Sequence, residues 1–306
     1  ALFERLHARG TSLELWYVNN STLRVPPGTR KVFRLTPRYF WTMSRARYWV
    51  FNQNVHDLCK PPRGTSYLQT WHGTPLKRMQ NDVPVIHGRA DDYHRKAQEL
   101  VDRWSALVSP SPYATQAFRS AFGFEGPIIE SGYPGNDVFH TEEGRRRARE
   151  ARIRLGIAPD RTVVLYAPTF RDDGRAAGAS GAWSHEMALD LGRFAERLGS
   201  DVTLLVRLHP LVKFSWPKDL DASIVNASKY PDAQDLLLDA DALVTDYSSI
   251  MFDYAQTGRP IISYVYDLEH YRDDLRGFYV DLEEIAPGPI VRTSDEVIDA
   301  VARLSE

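Results

Sequence analysis

Short apolar runs alternate with helical patterns along the whole chain, and this alternation constrains the fold more than any other feature. LELWYV (13–18), TVVLYAP (162–168) and VTLLVRLHP (202–210) carry apolar residues in consecutive positions. Strands have this composition when helices cover both faces of a parallel sheet. The pattern predicts an α/β fold of two Rossmann-like domains facing a central cleft, formed by residues 1–150 and residues 151–306. Further runs of this kind are RYWVF (47–51), YLQTW (67–71), ALVSP (106–110), PIIE (127–130), ALVTD (242–246) and PIISYV (260–265).

Start and stop signals place helices between these runs. In SPYATQAFRSAFG, Ser111 suits the N-cap, Pro112 the first helical position and Gly123 the end of the helix. TEEGRRRAREARIRLGI (141–157) has acidic residues before a run of arginines, which suits a helix macrodipole. HEMALDLGRFAERLG (185–199) predicts a helix that ends at its glycine.

Length and composition bound the class of protein. The 306 residues suffice for two domains with separate cores, and a hydrophobic content of 43% with 25% charged residues is typical of globular proteins. A single cysteine, Cys59, favours a reducing compartment, and no apolar run approaches the roughly 18–20 residues that span a bilayer. We expect a cytoplasmic protein without a signal peptide. Because Ala1 opens directly in a helical pattern, we also expect the chain to be part of a longer protein.

Positive charge is concentrated in one segment, although the whole chain carries a formal net charge of −2. No acidic residue lies between Leu15 and His56. The cations there are Arg24, Arg30, Lys31, Arg34, Arg38, Arg45 and Arg47, interleaved with Phe33, Tyr39, Phe40, Trp41 and Trp49. A solvated face over core aromatics explains this pattern. So does a surface for an anionic membrane or polyanionic substrate, with Arg24, Arg30, Lys31 and Arg34 as its candidate residues. A single-stranded nucleic-acid platform has the same residue types, but nothing else in the chain favours one, and no nucleic-acid partner is predicted.

Ligands of open α/β sheets bind outside the carboxyl ends of the strands, which directs attention to four stretches. These are WHGTP (71–75), APTFRDDG (167–174), RLHP (207–210) and TDYSS (245–249). In the last, Asp246, Ser248 and Ser249 open a predicted helix that runs to Gly258. A helix N-terminus presents unpaired N–H groups that favour phosphate, whereas simple N-capping explains the same residues without a ligand.

Two histidines follow strands. His209 in RLHP has Arg207 two positions earlier, and a lone histidine at a strand end is usually structural. In HGTP, Gly73 follows His72 and allows a ligand close to the backbone, and Thr74 begins a turn. Lys77 comes shortly after and suits a nearby phosphate.

No metal site is predicted. DDYH (91–94) and RDD (171–173) contain ligand types but fit solvated loops, and the chain has neither a Walker loop nor a GxGxxG motif. We therefore expect group transfer from an activated donor, with side chains handling the charge.

Six stretches, taken in order, closely resemble the CDP-glycerol glycerophosphotransferase family of teichoic acid and capsule polymer enzymes. They are TWHGTPLKRM, SPSPYATQAFRSAFGF, IIESGYPGNDVF, VLYAPTFRDDG, LLVRLHP and DLLLDADALVTDYSSIMFDYAQTGRPIISYVYDLEHYRDDLRGFYVDLEEIAPGPIV. The resemblance covers residues 1–304. It implies a GT-B-like architecture and transfer of glycerol phosphate, or a related polyol phosphate, from a CDP-polyol to a lipid-linked teichoic-acid-like or capsule polymer. The resemblance further implies that CMP is released, and we expect an enzyme that needs no cofactor and contacts the inner face of the membrane.

The resemblance also implies roles for single residues. The two catalytic histidines of the family fall on His72 and His209. We expect His72 to act as the general base and His209 to contact the donor phosphate. The donor-phosphate region falls on Thr245, Asp246, Ser248, Ser249, Arg207, Thr169 and Arg171, and the acceptor side on Gly73, Thr74 and Lys77. One departure is Gly135 in GYPGND, where the family usually has an arginine.

Two other functions stay open on sequence grounds. A glycosyltransferase of the GT-B type would use a nucleotide-sugar on the same architecture. A non-catalytic module that binds a polymer or lipid would release no CMP with any acceptor.

Overall fold

The structure, a computed structural model, divides into two compact α/β units. It describes residues 2–11, 16–19, 28–83, 92–169, 171, 183–184, 187–209, 212–275 and 277–305. The first unit comprises Ala1–Pro75 and Met79–Val138, and the second comprises Leu76–Arg78 and Phe139–Glu306.

Both units alternate helices and strands. The elements of the first unit are α1 (Leu2–Ala8), β1 (Trp16–Asn19), β2 (Arg30–Phe33), α2 (Pro37–Arg45), β3 (Tyr48–Phe51), β4 (Ser66–Gln69), α3 (Tyr93–Val101), β5 (Ala106–Ser109), α4 (Pro112–Phe122) and β6 (Ile128–Glu130). Those of the second are α5 (Glu142–Leu155), β7 (Thr162–Ala167), β8 (Trp183–Ser184), α6 (Leu191–Leu198), β9 (Val202–Val206), β10 (Val212–Lys213), β11 (Ile224–Asn226), α7 (Ala233–Asp239), β12 (Ala242–Thr245), α8 (Ile250–Ala255), β13 (Ile261–Tyr264), α9 (Leu268–His270), α10 (Leu282–Ile285), β14 (Ile290–Val291) and α11 (Ser294–Ala302). Short 3₁₀ turns cover Gln80–Asp82, Pro134–His140 and Arg303–Ser305, and a π-helical turn covers Tyr271–Leu275.

The main sheets are parallel, which confirms the predicted α/β class. In the first unit the strand order is β3-β4-β5-β6, with β1 and β2 as a separate parallel pair. The second unit has a six-stranded sheet of order β11-β9-β7-β12-β13-β14, and β8 pairs with β10. Apolar residues cover both faces of that sheet, since Val163 and Leu165 enter one buried cluster and Val164 and Tyr166 enter another. This burial on both sides explains the continuous apolar runs.

Local capping signals predicted α4 correctly. The Ser111 hydroxyl accepts a hydrogen bond from the amide of Ala114, Pro112 occupies the first turn, and Gly123 ends the helix with a φ of +57°. A left-handed φ of this kind favours glycine.

The structure corrects three boundaries. α6 begins at Leu191 instead of residue 185, because the Asp190 side chain caps it by accepting from the amide of Arg193. α8 ends at Ala255, and a turn carries the chain on to Gly258. The domain boundary lies after Val138, because α5 packs against α7 in the second unit.

Candidate active site

The HGTP stretch forms a turn directly after β4 in the first unit. Trp71 has a φ of +55°, a left-handed backbone that a bulky residue adopts only when its surroundings hold it. Its amide donates to the side-chain oxygen of Gln69 at 2.9 Å. Its ring lies 4.7 Å from that of Phe122 and 4.4 Å from the imidazole of His72, measured between ring centres. The turn is therefore fixed by contacts of the residue that precedes His72.

Two tyrosines hold the other side of the turn. The Tyr133 hydroxyl donates to the carbonyl of Gly73 at 2.8 Å, and the Tyr113 hydroxyl donates to the carbonyl of Pro75 at 2.5 Å. Burial raises the pKa of Tyr113 to about 12, so this phenol stays a neutral donor near pH 7. Tyr113 and Tyr133 belong to the SPSPY and GYPGND stretches, and their bonds explain why those stretches accompany HGTP.

His72 has its ring orientation and its tautomer set by a backbone carbonyl. Its Nδ1 lies 2.7 Å from the carbonyl oxygen of Asn52, while the residue itself is exposed. Because a carbonyl only accepts, Nδ1 must carry the proton and donate, which leaves the lone pair on Nε2. A histidine held in this way has a basic nitrogen that is able to act as a general base. Sequence reasoning left the partner of His72 undetermined, and no residue type could have revealed a main-chain oxygen.

The predicted donor-phosphate residues gather at the carboxyl ends of three neighbouring strands in the second unit. Asp246 follows β12, and its buried carboxylate accepts from the amides of Thr169 and Tyr247 at 2.6 to 3.1 Å. The Thr245 hydroxyl is also buried and donates to the carbonyl of Ala167 at 2.7 Å. These hydrogen bonds assign Thr245 and Asp246 to the support beneath the loop and not to its surface.

Arg171 is engaged in the same network. Its guanidinium donates to Asp246 at 2.9 Å, to Asp267 at 2.7 and 2.8 Å, and to the carbonyl of Thr169 at 2.7 Å. Burial lowers the pKa of Arg171, but the carboxylates of Asp246 and Asp267 together outweigh this effect, so the pKa is raised above its usual value. Asp267 follows β13 and was not predicted as part of the site.

Ser248 and Ser249 lie at the surface of this loop. Both are half-buried. The Ser248 hydroxyl accepts from the amide of Ile250 at 3.4 Å, and Ser249 is the N-cap of α8 without a side-chain capping bond. Their hydroxyls are therefore the predicted donors that stay available to a ligand.

His209 lies three residues beyond the end of β9 and is exposed. Partial burial of its imidazole lowers the pKa of His209, and the charge of Lys77 lowers it further. Arg207 donates to the carbonyls of Ala227 at 3.2 Å and Tyr230 at 2.8 Å, so it supports this loop from behind.

Lys77 belongs to the second unit, unlike Gly73 and Thr74. The amide of Arg78 donates to the carbonyl of Gly277 at 3.1 Å, and Lys77 forms an antiparallel bridge with Phe278. Its Nζ lies 5.7 Å from the centre of the Tyr271 ring. The structure therefore groups Lys77 with the predicted donor residues and not with the acceptor side.

The cationic segment carries exposed apolar side chains. Arg24 lies outside the described residues, whereas Arg30 and Lys31 are on β2 and Arg34 follows it. Phe33, Leu35 and Trp41 are each about half exposed, at 49%, 50% and 56%. Lys31 lies over the ring of Phe33, and Arg45 lies over that of Trp41. Not all of these aromatics are core residues, although Tyr39 and Trp49 are.

The described part of the chain contains neither a candidate metal site nor a candidate membrane-spanning helix. Among its histidines, cysteines and carboxylates, no group of three or more is placed to hold a metal ion. No helix within the described ranges has the length and apolar character needed to cross a membrane.

Comparison with known sequences identifies the group of proteins to which this chain is related. The family model of CDP-glycerol:poly(glycerophosphate) glycerophosphotransferases matches residues 1–306. A teichoic acid poly(glycerol phosphate) polymerase of Bacillus spizizenii is 40% identical over 88% of this chain and 68% of its own length. A teichoic acid glycerol-phosphate transferase of Staphylococcus aureus is 38% identical over 100% of this chain and 80% of its own. The match spans only 42% of a Bacillus subtilis polymerase that is 36% identical.

Relatives named for ribitol phosphate are less similar. A poly(ribitol-phosphate) polymerase of Bacillus spizizenii and a ribitol-phosphate polymerase of Staphylococcus aureus are 32% and 30% identical to this chain. The first of these is matched over 98% of this chain and 48% of its own length, and the second over 89% and 53%.

Comparison with solved structures agrees. The wall teichoic acid polymerase TagF superposes with a TM-score of 0.88 at 33% identity, covering 98% of this chain and 74% of that structure. A variant of the same polymerase soaked with CDPG superposes equally well. On the match of the family model along its whole length, this chain belongs to the CDP-glycerol:poly(glycerophosphate) glycerophosphotransferase family.

Proposed function

We propose that this chain transfers glycerol phosphate from CDP-glycerol to a hydroxyl of a lipid-linked teichoic-acid-like polymer. The acceptor oxygen forms a bond to the β-phosphorus of the donor, the bond between that phosphorus and the bridging oxygen breaks, and CMP leaves with the bridging oxygen. The observation that carries the proposal is the Nδ1 contact of His72 with the carbonyl of Asn52, which leaves Nε2 as a base. The GT-B-like cleft and a capsule polymer as acceptor stay predictions of the resemblance.

The first unit would supply the base. The acceptor hydroxyl must lose its proton as it attacks, and Nε2 of His72 would take it while Nδ1–H stays bonded to Asn52. The turn behind His72 is anchored at Trp71, Gly73 and Pro75, so the imidazole is positioned before the acceptor arrives. Of the two predicted acceptor-side residues beside it, Gly73 is buried and Thr74 is half-buried, so Thr74 is the one that the acceptor would meet.

The second unit would hold the donor. The hydroxyls of Ser248 and Ser249 and the imidazole of His209 would donate to the diphosphate and stabilise the charge that develops on CMP. Lys77 would add a positive charge near the diphosphate, because its charge already lowers the pKa of His209. Thr245, Asp246 and Arg207 would act by supporting these groups from below.

Glycerol is the polyol that the relatives favour. Four relatives named as glycerol-phosphate polymerases or transferases are 36% to 40% identical, whereas the ribitol-phosphate polymerases are 30% to 32% and a glycerol-phosphate primase of Bacillus subtilis is 26% identical. We propose CDP-glycerol as the donor on this ground.

Calorimetry with CDP-glycerol, CDP, UDP and GDP tests the donor directly. Binding of CDP-glycerol and CDP, with much weaker binding of UDP and GDP, is the expected result. Tight binding of UDP or GDP without binding of CDP would instead favour a nucleotide-sugar transferase.

Removing either serine hydroxyl should weaken donor binding moderately. A neutral hydrogen bond contributes about 0.5–1.5 kcal/mol, so Ser248→Ala and Ser249→Ala should each raise the CDP-glycerol KM by about two- to twelvefold. Ser44→Ala, which removes an exposed hydroxyl of α2, is the control and should leave this KM unchanged. A donor KM unchanged in both test variants would remove the serines from the site.

The enzyme should also take up protons when it binds the donor. Burial, followed by the charge of Lys77, lowers the pKa of His209, so its ring is mostly neutral at pH 7 in the free enzyme. The anionic diphosphate would raise that pKa again, so affinity should increase as the pH falls from about 7 to 5.5. Calorimetry in buffers of different ionisation enthalpy should show proton uptake, and His209→Asn should abolish it. Proton release on binding to the parent would contradict the assignment.

The cationic segment would bring the enzyme to an anionic membrane, at the inner face of which a lipid-linked acceptor resides. Each cation near such a surface contributes about 1 kcal/mol, and salt screens it over about 8–10 Å. Replacing Arg30, Lys31 and Arg34 by glutamate should weaken binding to phosphatidylglycerol vesicles at least tenfold and raise the acceptor KM. The donor KM should stay constant.

A matched reversal separates this surface from net charge alone. Arg145, Arg146 and Arg149 are exposed cations on α5. Their replacement by glutamate changes the total charge equally and should leave vesicle binding intact. If the two triple variants behave alike, the segment is only a solvated face.

A further inference from the structure

The guanidinium of Arg171 has almost no capacity left for a ligand. Four of its five N–H groups donate to Asp246, Asp267 and the carbonyl of Thr169. Its side chain is only 12% exposed. A phosphate that displaced these partners would leave the buried carboxylate of Asp246 and the half-buried carboxylate of Asp267 without their cation, which is costly.

Aromatic rings enclose the same guanidinium. The ring centres of Tyr247, Tyr266 and Tyr271 lie 5.0 to 5.1 Å from its central carbon. The Tyr247 hydroxyl donates to Asp267 at 3.0 Å, and the rings of Tyr247 and Tyr271 stack at 4.3 Å. Rings and carboxylates together fix both the position and the plane of the guanidinium.

The local charge also argues against a phosphate contact. Two carboxylates, those of Asp246 and Asp267, surround one guanidinium, so the cluster carries an excess of negative charge. An anionic diphosphate is repelled by such a cluster unless other groups face it. Arg171 therefore differs from the exposed, uncompensated arginines that bind phosphates in forks.

The partners of Arg171 come from the ends of three adjacent strands. Thr169 follows β7, Asp246 follows β12 and Asp267 follows β13, and these strands are neighbours in the sheet. Asp246 in turn accepts from the amide of Tyr247, the residue directly before Ser248. A shift of Arg171 is thus transmitted to the backbone that carries Ser248 and Ser249.

We propose that Arg171 is a positioning residue, which locks three strand ends together so that Ser248 and Ser249 are held in place for the donor phosphates. This proposal rests on the proposed function and replaces a direct contact between Arg171 and the donor. A lysine cannot replace Arg171 in this role. Its ammonium is a compact point charge without the planar fork of donors that binds two carboxylates at once.

The two roles predict opposite effects of Asp267→Asn. If Arg171 positions the loop, loss of the Asp267 charge loosens the loop and raises the CDP-glycerol KM. If Arg171 binds the donor directly, the same change frees the guanidinium and removes a repulsive charge, so the KM falls.

The experiment measures kcat, the KM of each substrate and the melting temperature for Arg171→Lys and Asp267→Asn. Arg147→Lys is the matched control, because Arg147 is also held by two carboxylates, Asp232 and Asp235, between α5 and α7. Both test variants should raise the CDP-glycerol KM about tenfold, as expected for one or two misplaced donors, with kcat changed less than threefold and the acceptor KM unchanged. The control should lower only the melting temperature.

Three outcomes overturn the proposal. They are a lowered donor KM in Asp267→Asn, a donor KM unchanged in the test variants, and an equal rise of the donor KM in Arg147→Lys. Asp267→Asn keeps the pair between Arg171 and Asp246, so it provides the decision if Arg171→Lys does not fold. Calorimetry of the parent with CDP-glycerol separates these outcomes from failure of the proposed function, in which the parent itself does not bind the donor.

Discussion

Replacing His72 by alanine should reduce turnover by about 10²–10⁴-fold while CDP-glycerol binding is retained. This range is typical for the loss of a general base. The Nδ1 of His72 is held by the carbonyl of Asn52, and Nε2 is the nitrogen that would accept the acceptor proton. Because the residue is exposed, its truncation leaves no large cavity and should hardly change the melting temperature. Steady-state CMP release and donor calorimetry measure the two effects separately.

His94→Ala is the matched control for this variant. His94 is also exposed, also lies in the first unit, and also has Nδ1 next to an oxygen, that of the Asn81 side chain at 3.3 Å. The control should keep the parent turnover. A His72→Ala enzyme that turns over within a few-fold of the parent shows that another group is the base.

His209→Ala should lower kcat/KM for CDP-glycerol by about 10²-fold or more and should weaken donor binding as well. Loss of one preorganised donor to developing charge typically costs this much. The effect on binding distinguishes His209 from His72, because His209 would contact the diphosphate before and during transfer. Donor titration and initial rates at saturating acceptor give both quantities.

His140→Ala provides the comparison in the same unit. His140 is exposed and lies at the end of a 3₁₀ turn that carries none of the predicted donor residues. It should bind CDP-glycerol as the parent does. Unchanged donor affinity and unchanged rate in His209→Ala would exclude His209 from the site.

The sequence predicted those elements whose signals are local. Ser111 and Gly123 delimit α4 because both act on hydrogen bonds within one turn of themselves. The predicted start of α6 was wrong because the apolar pattern was given more weight than the local capping signal. The apolar residues of HEMAL resemble a helical face, but the Asp190 cap fixes the first turn after them. Apolar runs alone do not distinguish a helix from an irregular segment packed on the core.

Contacts between distant residues account for what the sequence did not show at His72. The pairing of Phe51 with Gln69 aligns β3 with β4, and this register brings the carbonyl of Asn52 to His72. Every residue has a backbone carbonyl, so the identity of a residue does not reveal that its carbonyl binds His72. In the sequence, Tyr113 and Tyr133 are only members of two motifs. The folded chain shows that their hydroxyls donate to the turn that follows His72.

The donor side shows the same limit. The resemblance implied that Arg171 lies in the donor-phosphate region and contacts phosphate. Only the folded chain brings Asp246 and Asp267 to the same guanidinium, and these bonds are the ground on which we propose a positioning role for Arg171. The sequence thus located the strand ends correctly, but it did not distinguish the residues that are accessible to a ligand from those that are buried beneath the loop.

The most direct test of the account is the reaction itself. The parent and His72→Ala are each incubated with CDP-glycerol and a lipid-linked teichoic-acid primer, and CMP release and product mass are followed together. The account predicts that the primer gains glycerol phosphate units, with one CMP released for each, and that the variant forms both products at least about a hundredfold more slowly. Equal product formation by the variant, or CDP-glycerol bound by the parent without any CMP release in the presence of the primer, would contradict it.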